Sequence, residues 1–153
     1  MALPDRAYRK DIALMVAFNP QQPATFTTFC GATGVSFSLS NEIQSERVAD
    51  CDDLEAAVQT IKSYGAQDVS ATINGTWARQ NHTLAWRWAK DQLRLPVRLH
   101  FANAGVGDIE YIDGIALLSG FTLDNIMNID GATVSRNITI EFDGGIEETI
   151  KAA

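Results

Sequence analysis

Reactive side chains are scarce in this sequence of 153 residues. It contains two cysteines, Cys30 and Cys51, and two histidines, His82 and His100. Two cysteines without CxxC spacing form neither a zinc site nor a disulfide framework, so we interpret both as small buried apolar residues that stay reduced. Neither histidine lies in a recognisable pattern with a serine or cysteine nucleophile. The sequence therefore favours a protein that is not an enzyme and that needs no metal or cofactor.

Three local patterns resemble active or binding sites but fit other roles better. Asp108 and Glu110 share one face of a predicted strand, as a pair of glycosidase carboxylates could, but such a pair is more typical of an acidic, solvent-facing strand edge. Residues 31–34, with the sequence GATG, lack the lysine of a phosphate-binding loop and indicate a turn. Around Asp130 and Gly131 the ligand register of a calcium loop fails, so a hairpin turn is the better interpretation.

Long hydrophobic runs are also absent, although 46% of the residues are hydrophobic and 20% are charged. This balance predicts one folded domain over residues 1–153 with a single core. The longest apolar runs are too short to cross a bilayer, and residues 1–20 lack the small-residue cleavage site of a signal peptide. We therefore expect a chain that is made in the cytoplasm and has no membrane partner.

The net charge of −7 is distributed unevenly along the chain. Residues 41–68 contain seven acidic and two basic residues, and residues 108–148 contain nine acidic residues and one basic residue. Residues 79–100 contain five basic residues and one acidic residue. An acidic surface does not hold nucleic acid, because binding depends on neutralising phosphates. The basic block therefore either contacts the acidic regions of the same or a neighbouring chain, or is simply solvated.

Alternation of apolar and polar residues predicts that most of the chain is β-strand, since successive side chains of a strand point to opposite faces. Asp113 and Gly114 suit a tight hairpin turn between two of these strands. The predicted strands cover residues 11–18, 35–40, 68–77, 96–101, 108–112, 115–123 and 131–145.

The last of these strands has two very different faces. Its apolar face carries Val134, Ile138, Ile140 and Phe142, and this face belongs to a core. Its other face is polar and nearly uncharged. The residues of the polar face are Thr133, Ser135, Asn137, Thr139 and Glu141. This pattern leaves open whether the polar face meets bulk water, a substrate or another copy of the chain.

Apolar residues at helical spacing interrupt the strand pattern at residues 52–65, where Leu54, Ala57, Val58 and Ile61 would share one face. A capping box at Asp52 and Glu55 and a helix exit at Gly65 support a helix here.

Residues 81–96 are a second helix candidate, with Asn81 as the cap and Pro96 as the stop. Trp86 lies about 200° around the helix from Leu84 and would be in a groove or exposed at an interface. The face expected to lie on the sheet contains Leu84, Ala85, Trp88, Ala89 and Leu93. The elements together predict a mainly β fold with one or two α-helices (α+β), built as an antiparallel β-sandwich or barrel.

The order of these features resembles the tail tube proteins, also called major tail proteins, of long-tailed bacteriophages and phage-like gene transfer agents. The resemblance spans most of the chain and depends on the order of features more than on a strict motif. These features are a glycine-led strand with an acidic loop at 31–53, a segment that ends in the strand DVSATINGTW at 68–77, the helix LAWRWAKDQL at 84–93, and a C-terminal strand pair that contains GFTLDNIMNIDGATVSRNITIEFDG at 120–144. It implies a structural virion protein that forms stacked hexameric rings. It also implies an inner β-barrel whose channel conducts DNA without specific binding. The implied partners are other copies of the chain, a tape-measure protein, and tail terminator and initiator proteins, with assembly in the host cytoplasm.

The resemblance also assigns roles to particular residues. It implies that the polar face of the last strand, Thr133 to Glu141, lines the channel. It implies that a long polar loop at residues 40–53 reaches a neighbouring subunit, and that the N-terminal arm 1–10 assists ring stacking. The inter-subunit candidates in this loop are Glu42, Glu46, Arg47 and Asp50. They are expected to meet the basic residues Arg79, Arg87, Lys90, Arg94 and Arg98, and Trp86 is a further inter-subunit candidate.

Three alternatives remain open from the sequence. The first is the tube protein of a contractile tail or of a type VI secretion-like system, which would share the fold. The second is a monomeric β-sandwich that binds a ligand on an exposed aromatic platform at Trp77 or Trp86. The third is an enzyme on a small β-barrel, for which the sequence offers no convergent set of catalytic residues.

Overall fold

The computed structural model of the chain describes residues 11–19, 21–22, 25–28, 32–77, 79, 82–127, 129 and 133–153. Within these residues there are seven strands and one helix. In chain order they are β1 (Ile12–Val16), β2 (Thr27–Thr28), β3 (Ala32–Val48), β4 (Gln59–Thr76), α1 (His82–Lys90), β5 (Arg94–Phe101), β6 (Ile109–Asp124) and β7 (Ser135–Ile150). The predicted fold class, mainly β and antiparallel with helix as the minor component, is confirmed.

The strands form one sheet in the order β2-β1-β5-β6-β7-β4-β3, and every neighbouring pair is antiparallel. Two of these pairings cover only part of a strand. β4 pairs with β7 through residues 70–76, and β5 pairs with β6 only as far as Leu117. Consequently the second half of β3 and the first half of β4 extend beyond the sheet as a two-stranded projection. The second half of β6, residues 118–124, has β7 on one side and no strand on the other.

One apolar core contains residues from both ends of the strand order. Val16 of β1 and Val97 of β5 belong to the same buried cluster as Ile73 of β4 and Ile138 of β7. Trp88 of α1 is completely buried in this cluster. The sheet therefore curls over a shared core, and α1 closes it from the side. The alternating positions of β4 and β7 provide the apolar face, as the period-two pattern predicts.

β6 runs through residues 113 and 114 without the predicted hairpin turn. Its register with β7 shifts between Asp113 and Ile115, which marks an irregularity at Gly114. A Cβ atom at Gly114 would lie 2.6 Å from Cδ1 of Phe142. Glycine is needed here because the Phe142 ring approaches the backbone, not because the chain reverses direction.

The Gly114→Ala variant tests this explanation. We expect a loss of about 1–3 kcal/mol in the free energy of unfolding, because the added methyl group overlaps the Phe142 ring. Gly145→Ala is the matched control, since a Cβ atom there has nothing within 4 Å, and its loss should stay within about 0.5 kcal/mol. Urea denaturation of the monomer measures both values. Equal losses in the two variants would contradict the packing explanation.

The helix predicted at 52–65 is wrong. β4 already begins at Gln59, and residues 49–58 form the connection between β3 and β4. The apolar spacing buries nothing, since Leu54, Val58 and Ile61 are all exposed. Regular pairing with β3, from Val48–Gln59 to Ile43–Tyr64, supplies the backbone hydrogen bonds instead. For the same reason the predicted loop at 40–53 is strand as far as Val48, and residues 32–34 are strand and not a turn.

The second predicted helix exists but is shorter, since α1 ends at Lys90 and β5 begins at Arg94. Pro96 therefore lies within a strand and does not end a helix. Leu95, Val97 and Leu99 alternate as buried residues of β5, and this period-two burial outweighs the helical pattern. On α1, Ala85 and Trp88 are buried as expected, whereas Leu84 is 45% exposed. Four earlier expectations, for residues 1–10, Cys30, Asn81 and the turn at 130–131, lie outside the described residues.

Candidate functional site: the polar sheet face and the surfaces around it

A continuous polar surface covers four neighbouring strands on the side of the sheet opposite the core. The strand register aligns its side chains in rows across β3, β4, β7 and β6. One row is Ser36–Thr72–Thr139, and the next is Asn74–Asn137–Thr122. Almost every side chain in these rows is a hydroxyl or an amide. We call this surface the polar face. Its members are Ser36, Ser38, Ser70, Thr72, Asn74, Thr76, Thr122, Ser135, Asn137, Thr139 and Glu141.

Charge on the polar face is confined to its two margins. Glu141 lies at one margin, opposite Ser70, and Asp68 follows one step beyond on β4. Asp124 lies at the other margin, opposite Ser135. The uncharged band between Ser135 and Glu141 is about 20 Å long, at roughly 3.3 Å per strand residue. The face can therefore offer hydrogen bonds to water along its length while presenting carboxylates only at its ends.

Four of the five predicted polar-face residues of the last strand share this surface. Ser135, Asn137, Thr139 and Glu141 alternate with the buried Ile138 and Ile140. The fifth, Thr133, is exposed but precedes β7. It belongs to the segment between β6 and β7 and is not a member of the strand rows.

Sequence reasoning missed Arg136, which is only 2% exposed. It lies on the core-side face of β7, between Gly75 of β4 and Leu123 of β6. The signal was available, because position 136 falls between two inward-facing positions of the period-two pattern. A charged residue at an inward position is rare, and a buried arginine needs polar partners within the fold.

The projecting part of β3 and β4, residues 41–67, is here called the arm. It begins at a β-bulge, where Glu42 of β3 faces Gly65 and Ala66 of β4. The Glu42 carboxylate accepts a hydrogen bond from the Ala66 N–H at 3.4 Å. A Cβ atom at Gly65 would approach the same carboxylate carbon to 3.2 Å, so glycine leaves room for it.

The two faces of the arm carry charges of opposite sign. In the sheet, Leu39 lies on the core side of β3 and Ser40 lies on the polar face. From there to Val48, successive residues of β3 point alternately to these two sides. Glu42 and Glu46 continue the polar face. Ile43 and Arg47 fall on the other side, together with Tyr64 and Lys62, their neighbours on β4. Asp50 lies in the connection, where its carboxylate accepts the N–H of Asp52 at 2.9 Å. The predicted inter-subunit residues of this region are thus divided between two surfaces and the tip.

An open cleft of about 400 Å³ lies between α1 and the unpaired half of β6. Trp86 is 49% exposed, and its ring lies edge-on to Phe121, with 5.9 Å between centroids. Trp77 contacts the same Phe121 ring at 5.6 Å. The sequence left open whether Trp86 lies in a groove or is exposed. In the structure it lines a groove and is also half exposed. The cleft is lined by Trp77, His82, Thr83, Trp86, Arg87, Lys90 and Leu123.

The basic block of residues 79–100 is divided between the surface and intrachain contacts. Arg79, Arg87 and Lys90 are exposed. Arg94 forms an ion pair with Asp143, and Arg98 forms one with Asp113 at 2.7 Å. The Arg98 guanidinium also lies between two rings, 4.1 Å from the Phe26 centroid and 4.2 Å from that of Tyr111. These two arginines thus meet acidic residues of their own chain, and the expected contact with residues 42–50 is not made within one copy.

The two histidines and Cys51 lie in different parts of the fold. Nδ1 of His82 lies 2.6 Å from the Arg79 carbonyl oxygen, and His100 stacks on Tyr111 with 4.8 Å between centroids. Cys51 is exposed, so the expectation that it is buried is wrong; it lies in the β3–β4 connection, which contributes nothing to the core. Among the described residues, no group of three or more His, Cys, Asp and Glu side chains could hold a metal ion. Nor does any described helix have the length and apolarity to span a bilayer.

Comparison with known families supports one of the interpretations left open by the sequence. A sequence model described as "Phage tail tube protein" matches residues 10–148. The chain belongs to the phage tail tube protein family. This confirms the resemblance inferred from the sequence, and the chain is a structural tail tube protein. No curated protein matches the chain in a direct sequence search.

Solved structures share the fold of this tail tube protein at low sequence identity. The tail of an empty gene transfer agent particle aligns with a TM-score of 0.71 and 13% identity, covering 94% of this chain and 99% of that one. The SPP1 tail tube aligns with a TM-score of 0.68 and 8% identity, covering 97% and 81%. The sheath-tube complex of the extracellular contractile injection system PVC aligns with a TM-score of 0.60 and 14% identity, covering 97% and 93%. These likenesses extend over almost the whole chain.

Proposed function

We propose that six copies of this tail tube protein form a ring, that the rings stack into a tube, and that the polar face lines its channel. The observation that carries the proposal is the polar face itself, a four-strand surface of hydroxyls and amides on an otherwise apolar sheet. An isolated antiparallel sheet can also expose a polar face to water, but a face with charge only at its margins is especially suited to a channel. The gene transfer agent tail that shares this fold has C6 symmetry, which supports a ring of six.

The edges of the sheet are suited to ring closure. β3 is an edge strand, and residues 118–124 of β6 lack a strand on the side away from β7. From β6 through β7 and β4 to β3 the direction reverses three times, so β6 and β3 of one copy are antiparallel. Rotation about the tube axis preserves strand direction. β3 of one copy can therefore pair antiparallel with residues 118–124 of β6 of the next copy, which covers the unpaired part of β6 and a matching length of the β3 edge.

The size of such a barrel fits a DNA conduit. Six copies of four strands make a barrel of about 24 strands, and a spacing of about 4.8 Å between strands gives a circumference of at least about 115 Å. The backbone diameter is then about 37 Å before strand tilt widens it. Side chains of serine, threonine and asparagine size leave a channel that passes a DNA duplex.

The chemistry of the polar face suits transit without retention. Its uncharged band has no cations to neutralise phosphates, and its marginal carboxylates repel them. DNA therefore passes without specific binding, and before ejection the tape-measure protein occupies the same channel. Terminator and initiator proteins bind the ends of the tube. The protein is not an enzyme, it acts in the virion tail, and it assembles in the host cytoplasm.

Electron microscopy combined with cysteine accessibility tests this arrangement. Purified protein at high concentration should form rings or tubes with six-fold end views in negative stain. In a Cys30→Ser/Cys51→Ser background, Asn137→Cys in the middle of the polar face should react with a bulky maleimide as a monomer and be largely protected in tubes. Asp91→Cys, just after α1 on the opposite layer of the fold, is the matched control and should react in both states.

Two outcomes would count against the proposal. Protection of Asp91→Cys with free reaction of Asn137→Cys in tubes would place the polar face on the outer wall. A protein that stays monomeric at every concentration, and whose exposed Trp86 cleft binds a ligand, would favour the monomeric binding module instead.

A contractile system is the second candidate, because the tube of the PVC injection system shares the fold over 97% of this chain. The tube proposal holds in both cases, since the channel face and the ring are the same. The two differ outside the tube, where a contractile system adds a sheath. A sheath gene beside the gene of this protein would identify the contractile relative.

A further inference from the structure

Two protruding segments lie at opposite ends of the same strands. The arm leaves the sheet at the margin marked by Glu141. The segment between β6 and β7, of which residues 125–127, 129, 133 and 134 are described, begins and ends at the margin marked by Asp124 and Ser135. Along β4, Thr76 and Tyr64 are twelve residues apart, which corresponds to about 40 Å. The two segments of one copy therefore cannot touch each other.

The β6–β7 segment exposes large apolar side chains at consecutive described positions. Ile126 is 60% exposed, Met127 is 95% exposed, and Ile129 is 98% exposed. Asn125 and Met127 also have left-handed backbones, with φ of 64° and 56°. This conformation is unfavourable for methionine. A backbone that holds a strained methionine with its side chain fully in solvent is a mark of a functional contact, not of core packing.

The core-side face of the arm is the complementary surface at the other end. Leu39 at its base and Ile43 and Tyr64 beyond the bulge are exposed, Tyr64 to 78%. Arg47 and Lys62 flank this apolar strip on the same face. Asp124 is the last residue of β6 and directly precedes the β6–β7 segment, so its carboxylate would approach these cations when the apolar residues meet. Apolar strips of similar length, with opposite charges beside them, are thus presented at the two ends of the molecule.

We propose that the β6–β7 segment of one copy packs its Ile126, Met127 and Ile129 side chains against Leu39, Ile43 and Tyr64 of a second copy in the next ring. This inference depends on the proposed tube. The contact is heterologous, because two different surfaces meet, and it joins opposite ends of the molecule. Such a contact does not close on itself but repeats along an axis. It therefore provides the stacking of rings, whereas the pairing of β3 with β6 provides closure within a ring.

Disulfide cross-linking tests the contact directly. In the Cys30→Ser/Cys51→Ser background, a chain with both Ile43→Cys and Met127→Cys is oxidised at high concentration and separated on a non-reducing gel. We expect a ladder that extends well beyond the dimer, since each copy can link to one copy above and one below. Each single-cysteine variant is the control and should stop at the dimer. Positions 43 and 127 of one chain lie at opposite ends of the strands, about 40 Å apart, so a disulfide between them within one chain is excluded.

Cross-linking separates failure of this contact from failure of the tube proposal. The ladder is expected whether or not long tubes form, because the contact needs only two copies. Tubes in the microscope without a ladder would overturn the contact and leave the tube intact. Absence of both tubes and a ladder would overturn both proposals.

A second variant measures the contribution of the apolar strip. Met127→Asp should raise the concentration needed for tube growth at least about tenfold, as expected when one well-packed apolar anchor is lost from an interface. Val106→Asp is the matched control, because Val106 is 66% exposed but lies outside both strips, and it should polymerise like the parent protein. Equal effects of the two variants would contradict the inference.

Discussion

Replacing the arm, residues 41–67, with an Asn-Gly turn should give a folded monomer that no longer polymerises. Ser40 and Asp68 face each other across β3 and β4, and a two-residue Asn-Gly connection suits an antiparallel pair joined at that point. Every arm residue except Ala56 is exposed, so the core loses no packing. We expect the free energy of unfolding to change by less than about 1 kcal/mol.

Polymerisation should be abolished because the arm carries the core-side strip and the long edge of β3. Sedimentation of concentrated protein and negative-stain microscopy measure the effect, and urea denaturation of the same preparation checks the fold. Deleting only residues 42–50 is a poorer test, because it would leave residues 59–66 of β4 without their partner strand. Tubes of normal length from the shortened chain would show that the arm takes no part in assembly.

Among truncations to alanine in the described part of the chain, Trp88→Ala should have the largest effect on stability. The indole is completely buried, its ring lies edge-on to Phe18 at 6.3 Å, and its N–H donates to the Leu93 carbonyl at 3.0 Å. Truncation leaves a large cavity and a carbonyl without its donor. The expected loss is about 3–5 kcal/mol, which is a large part of a domain's usual 5–15 kcal/mol.

Trp86→Ala is the matched control on the same helix. Its side chain is half exposed and contacts mainly Phe121, so the expected loss is about 1 kcal/mol. Thermal and urea unfolding of the two monomers should therefore differ clearly. A similar loss of unfolding free energy in both variants would contradict the conclusion that Trp88, and not Trp86, is the core residue of α1.

The period-two pattern predicted the strands well where one face is buried. Ile138 and Ile140 alternate with Asn137 and Thr139, and this contrast identified both the strand and its polar face. The same reasoning could not find the irregularity at Gly114, because it depends on the approach of Phe142, a contact between strands that are distant in sequence. The pattern of apolar and polar residues along one strand indicates which side chains are buried. It does not indicate which residues of two different strands come into close contact.

Residues 52–65 show why the arm could not be predicted. Their apolar spacing fits a helix, but a helix has to bury that face, and nothing in the described fold covers Leu54 or Val58. The pairing of Glu46 with Ile61 and of Arg47 with Thr60 decides the conformation. The division of Glu42 and Arg47 between two surfaces follows from the same register. It becomes visible only when the neighbouring strand is known.

The long edge strand has a consequence for the protein before assembly. β3 presents 17 residues of strand at the border of the sheet, which is the kind of edge on which proteins aggregate. Glu42 and Glu46 place carboxylates along this edge, and like charges discourage two free monomers from zipping together at random. At 0.1 M salt the Debye length is about 10 Å, so this electrostatic repulsion acts only at short range. Favourable contacts with a correctly oriented surface can therefore outweigh it. If the protein assembles as proposed, the carboxylates of the arm would therefore limit aggregation of unassembled chains through the β3 edge.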